Sequence, residues 1–277
     1  MTDRPNILWY CSDQQRFDTI AALGNAHINT PRLDAFAREG VAFTHAYCQS
    51  PICTPSRASF LTGTYPGANG VTGNGNEFFP REQESRLLPH RLAKSGYDCG
   101  LVGKLHLASA ADGVENRVDD GYRYFQYSHD HRGPRVYGHD YAEWVREQGG
   151  DADGLMAPYQ TKNYREGARI ATFGGLYEPT ASTDNIPPGQ HQTRWCSEKS
   201  IEFIDKNRTE GQPWMLSVNP FDPHPPYDAP WEYYRRYDPE TLPVEETFRQ
   251  FPEGHSLFNR IRAEFWMQSQ YGGDTHH

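Results

Sequence analysis

With 277 residues, a net charge of −9, 36% hydrophobic and 13% aromatic residues, the chain can bury one large core or two small ones and is too rich in Tyr and Phe for disorder. The acidic balance argues against nucleic acid as a partner, no apolar run approaches the ~20 residues of a membrane span, and the N-terminus has no signal-peptide pattern. Five cysteines (11, 48, 53, 99 and 196) at scattered spacings fit neither a disulfide framework nor a zinc site, so a cytoplasmic protein is expected.

The first element is Asn6 to Cys11, a largely apolar run that predicts a buried strand of a parallel sheet. It ends in Ser12-Asp13-Gln14-Gln15. A carboxylate at the end of a first strand is either a ligand-binding group, with Gln14 adding an amide oxygen toward a metal, or a helix N-cap. Asn29 to Gly40 predicts a helix with Leu33, Phe36 and Ala37 on its core face, and Val41 to Tyr47 alternates as a strand. The strand delivers the chain to Cys53. There Thr54 is a good N-cap, Pro55 suits the first helical position, and Gly63 can close the helix. Arg57 falls in the first turn, where a cation opposes the helix dipole unless an anion is also bound.

A Gly- and Asn-rich loop follows, with Asn74 either reaching the site as a neutral donor or simply forming a turn. Leu87 to Lys94 predicts an amphipathic helix. Residues 97–103 predict a short buried strand leading into Lys104 and His106, whose spacing puts both side chains on one face if the chain stays extended. Two adjacent cationic groups make sense facing an anion. Tyr122 to Tyr127 predicts a strand and Asp140 to Gln148 a short helix. Residues 149–190 read as a loop-rich insertion, and His129, His131 and His139 as surface histidines. His191 to Lys206 predicts a helix using Trp195, Ile201, Phe203 and Ile204. Pro213 to Asn219 predicts a buried strand, after which prolines stiffen the loop around His224. Trp231 to Tyr237 and Leu257 to Tyr271 look helical.

Two stretches carry a family resemblance. Cys53-Thr54-Pro55-Ser56-Arg57, followed by Leu61-Thr62-Gly63, resembles the sulfatase signature Cys-x-Pro-Ser-Arg with its trailing Thr-Gly, and Gly103-Lys104-Leu105-His106 resembles the second signature, Gly-Lys-x-His. Pro223-His224-Pro225-Pro226 is similar to the family's Pro-His-x-Pro element. The resemblance implies an alkaline-phosphatase-like α/β/α sandwich with a mostly parallel central sheet. It covers the N-terminal portion of a catalytic domain over residues 1–277, with the C-terminal part missing.

The resemblance also implies the chemistry. Cys53 would be converted to formylglycine by a formylglycine-generating or sulfatase-maturating enzyme, and its hydrated aldehyde would attack a small sulfated substrate. Asp13, Gln14 and residue 53 would hold a divalent metal, calcium first with magnesium or manganese as alternatives. Arg57 and Lys104 would stabilise the diol and sulfate oxygens. His106 would act as a base, while His224 and Asn74 would contact substrate. Gln14 stands where the family usually has Asp, a departure similar to the branch of choline sulfatases and phosphonate monoester hydrolases. A phosphonate monoester or phosphodiester hydrolase, and an inactive anion-binding remnant, are the alternative readings. No strand ending in Asp-His or Asp-Asn is found to complete the metal site, so weak metal binding and slow turnover are expected of this chain.

Overall fold

The computed structural model describes residues 4–110, 113–130, 138–156, 186–224 and 229–244, with Ser256, Leu257 and Ile261. The chain divides into two units. The first comprises residues 1–159 and 188–223, and the second residues 160–187 and 224–277.

The first unit is built on four strands: β1 (Ile7–Tyr10), β2 (Asp98–Gly103), β3 (Tyr124–Tyr127) and β4 (Trp214–Asn219). Their order is β1-β4-β2-β3 and every pairing is parallel. The two central strands, β2 and β4, are buried along their whole length, which is why both are short apolar runs without alternation. The edge strand β1 departs from the fully buried strand expected of it. Among the described residues it pairs only with β4, and Leu8 and Tyr10 on one face are exposed.

Helices cover both faces of the sheet. On one side lie α2 (Cys53–Thr62), the single turn α3 (Pro66–Asn69) and α4 (Leu88–Lys94). Ala58 and Leu61 of α2 meet Cys99 and Leu101 of β2 and Met215 of β4 in the main core, with Ile7 and Trp9 of β1 at its margin. On the other side lies α7 (Gln192–Glu210), alongside α5 (Asp140–Glu147) and α6 (Ala152–Met156). Phe203 of α7 comes so close to β2 that a Cβ on Gly100 would lie 2.9 Å from its ring, so glycine sets the layer spacing there. This is the expected α/β/α arrangement. Trp195 and Phe203 are buried as read, but Ile201 is exposed.

Three further expectations are corrected. Helix α1 (Pro31–Glu39) forms, but Leu33 and Phe36, read as its core face, are exposed. Residues 41–47 form no strand. Val41, Phe43 and Tyr47 alternate in type yet all face solvent, because no neighbouring strand in the described residues pairs with them. His129 and His139, read as surface histidines, are buried against the end of β3, while His131 lies outside the described residues. Most of the 149–190 insertion and of the 257–271 helix also lie outside them. In the second unit, α8 (Trp231–Tyr234) forms a single turn within the stretch read as helical.

Candidate anion site at the end of the parallel sheet

Parallel strands deliver their C-terminal ends to one edge, and the loops leaving them gather chemically useful side chains there. Here β1 delivers Asp13, β2 delivers Lys104 and His106, β3 delivers His129 and Asp130, and β4 delivers Asn219 and Asp222. Backbone bonds tie these loops together. Asp13 donates to the Asp222 carbonyl, and Lys104 to the Asn219 carbonyl. The turn after β2 needs Gly103, whose φ is +103° and whose Cβ would lie 2.1 Å from the Asn219 carbonyl oxygen.

The nucleus of the site is one carboxylate between two cations. Asp13, Arg57 and Lys104 are all more than nine-tenths buried. The Lys104 ammonium donates to Asp13 Oδ2 at 2.5 Å, and the Arg57 guanidinium lies 3.7 Å from the same oxygen. Arg57 also donates to the Lys104 carbonyl at 2.7 Å, which the Asn219 amide reaches too at 2.9 Å. The Lys104 ammonium stands 5.2 Å from the centre of the buried Phe221 ring. Two positive charges against one negative leave this desolvated trio with one surplus positive charge, which favours an anion. Lys104 and His106 do not present an extended same-face pair. His106 adopts φ +54°, so the backbone is left-handed at His106 itself and not extended.

Cys53 is the first residue of α2, and its sulfur lies within 4.8 Å of an Asp13 carboxylate oxygen. The helix starts one residue before the expected N-cap. Ile52 occupies the cap position in extended backbone without a side-chain bond, and Thr54 is buried in the first turn. Pro55 is compatible with either start, because the first four N–H groups of a helix have no intrahelical acceptor. The capping acceptor comes from elsewhere. Asn74 Oδ1 accepts the Thr54 N–H at 3.0 Å, so this loop residue supports the helix end that presents residue 53. Gly63 closes the helix in the left-handed conformation, as read.

Gln14 is exposed, with φ +61°, whereas Asp13 beside it is buried, so the expected amide oxygen is not held in the buried trio. His224 belongs to the second unit, directly after the Asp222–Pro223 cis bond. Three features escaped the sequence reading. Glu115 is buried beneath the Lys104–Ala108 turn. The His129 ring packs edge-on against His106 with centroids 4.4 Å apart, and its Nδ1 lies 3.4 Å from Asp130 Oδ2. Asn219 clamps the Lys104 carbonyl. Ser128-His129-Asp130 had a usable signal: a polar run just after a strand, the same pattern that singled out Asp13 and Lys104.

The family profile for sulfatases matches residues 5–251. The chain is 29% identical over 245 residues to an arylsulfatase of Clostridium perfringens, covering 87% of this chain and 47% of that protein. It is also 29% identical over 240 residues to an ulvan-active sulfatase of Formosa agariphila, covering 86% of this chain and 39% of the relative. The crystal structure of a phosphonate monoester hydrolase of Agrobacterium radiobacter superposes with a TM-score of 0.61 at 25% identity, covering 87% of this chain and 45% of that one. The chain thus spans less than half the length of each of these proteins. With a parallel α/β/α sheet, both signature stretches at its C-terminal edge and a family match over most of its length, this chain belongs to the sulfatase family.

Proposed function

We propose that this chain carries part of the catalytic machinery of a sulfuric ester hydrolase acting on a small sulfated substrate. The observation that carries the reading is Cys53 at the mouth of α2, beside a buried trio with one surplus positive charge. A sulfate monoester is an anion whose hydrolysis is slow because the ester repels nucleophiles and its alkoxide leaves poorly. Arg57 and Lys104 offset the first obstacle by holding sulfate oxygens in a desolvated pocket, where each charge–charge contact counts for more than in water. Arriving sulfate would compete with Asp13 for the Lys104 ammonium. His106 is the base nearest Lys104 in the chain, and the edge contact with His129 restrains its ring. His224 is proposed to hydrogen-bond or protonate the leaving oxygen. Asn74 acts through the Thr54 N–H, by fixing the start of α2.

Two groups implied by the family would complete the chemistry. Formylglycine at residue 53, installed by a maturating enzyme, supplies a hydrated aldehyde as nucleophile. A divalent cation supplies Lewis-acid polarisation of the ester. Among the described residues of the first unit, the donor set fits such a cation on one side only. Asp13 gives a carboxylate and residue 53 a second donor, against the ~6–8 oxygens that calcium takes, with two cations already beside Asp13. Asp13 and residue 53 would therefore hold one face of the ion.

The test is intact-mass analysis after co-expression with a formylglycine-generating enzyme. Conversion of Cys53 lowers the mass by about 18 Da, sulfur being replaced by oxygen with loss of two hydrogens. Titration with inorganic sulfate should show binding that Lys104→Met weakens at least tenfold. An unmodified residue 53 together with no sulfate binding would overturn the reading. The phosphonate monoester hydrolase neighbour and Gln14 favour a second reading with the same apparatus. A higher rate on a phenyl phosphonate monoester than on an aryl sulfate would select it.

A further inference from the structure

Glu115 is buried, and no signature stretch contains it. Its carboxylate accepts four hydrogen bonds. Oε2 takes the backbone N–H of His106 at 2.6 Å and the Tyr127 hydroxyl at 3.1 Å. Oε1 takes the N–H groups of Leu107 at 2.8 Å and Ala108 at 3.3 Å. A carboxylate has about four lone-pair sites and no proton to donate, so it matches four converging donors. A neutral acid or an amide does not, because part of the group would then have to donate toward an N–H.

The captured backbone is also strained. His106 is a non-glycine residue at φ +54°, a conformation that persists only where the surroundings impose it. Three successive N–H groups drawn to one carboxylate impose it here. The fourth donor extends the grip across the sheet edge. Tyr127 ends β3, and two residues later His129 lays its ring edge-on to His106. Glu115 thus holds both the backbone beneath the His106 imidazole and the strand end that carries its ring partner.

We propose that Glu115 is a positioning residue that sets the orientation of His106. The proposal rests on the role given to His106 above. Burial also pushes the Glu115 carboxyl up to about 7, with the hydrogen bonds partly opposing the shift, so the four-bond grip belongs to the ionised form above that pH and is made against a substantial desolvation cost.

The experiment compares the full chain with its Glu115→Gln and Glu115→Asp variants. The imidazole resonances of His106, assigned with His106→Gln, are followed alongside those of His90 on α4 and the thermal midpoint. Glu115→Gln should move the His106 resonances and leave those of His90 in place, whereas a purely stabilising role would lower the midpoint alone. On aryl sulfate, kcat should fall roughly tenfold or more with KM within about twofold, the pattern of misplaced chemistry rather than lost binding. Folded variants whose His106 resonances coincide with wild type overturn the proposal. If neither variant folds, Tyr127→Phe removes one of the four donors, and unchanged His106 resonances there overturn it equally. Should the wild-type chain show no aryl sulfate turnover, the functional reading fails on its own, and the resonances still decide whether Glu115 orients His106.

Discussion

Asp13 is the residue on which the buried charges depend. It is the counter-charge that Lys104 and Arg57 share, and all three are nearly withdrawn from water. Asp13→Asn should therefore cost about 3–5 kcal/mol, the range for breaking a buried ion pair from one side, read as a drop in the urea midpoint. Glu115 gives a second prediction, in pH. Its carboxyl rises from an ordinary value of 4.5 to about 7 in the folded chain, chiefly through burial. Between those values the folded state holds a proton that the unfolded state has released. The unfolding free energy contributed by this group therefore falls as pH rises through the window and stays reduced above it. Chemical denaturation from pH 4.5 to 7.5 should show that decline, and Glu115→Gln should flatten it.

At the scale of elements, the start of α2 and the end of β2 carry the site. The first is held by a side chain 20 residues downstream, so Asn74→Ala should cost about 1 kcal/mol of stability, as a lost cap does. The second admits no side chain. Gly103→Ala places a methyl against the Asn219 carbonyl in left-handed backbone and should destabilise by about 3 kcal/mol or more, read in the same denaturation experiment. The signature stretches were legible because the elements holding them are local: a short apolar run predicts β2, and a Pro in the first turn with a closing Gly predicts α2. The cap was not legible. Thr54 offers a local hydroxyl acceptor, yet a distant side chain serves the first N–H groups instead, and only folding brings Asn74 to Thr54.

At the scale of the whole molecule, the sheet joins the two ends of the first unit. Ile7 pairs with Met215, and β4 then sits between β1 and β2. This long-range pairing assembles the site, since Asp13 and Asn219 approach Lys104 only when β4 is inserted. Among the described residues β1 lies at an edge of the sheet, and the apolar side chains of α1 and residues 41–47 face solvent. Phe36 and Phe43 are about four-fifths exposed, so replacing them with Glu or Lys should leave the thermal midpoint within about 2 °C, because surface changes rarely exceed ±0.5 kcal/mol. The same variants should bind less 8-anilinonaphthalene sulfonate than the wild type, which checks that this apolar surface is accessible. No helix among the described residues is long and apolar enough to cross a membrane.

By itself the sequence determined the α/β class, the two buried central strands, a helix beginning within a residue or two of Cys53, and the placement of Asp13 and Lys104 just past strand ends. Each is written in a local pattern: an apolar run, a helix punctuation, a charged residue just past a strand. Only the tertiary structure decided that Leu33 and Phe36 face solvent, that β1 is an edge, that His129 and His139 are buried, and that Glu115 lies beneath His106. The physical reason is the same in each case. Burial and hydrogen-bond partnership depend on which distant segment covers a residue, and Glu115 has no local mark because its four donors come from a strand end and a turn that meet only when the parallel sheet is assembled.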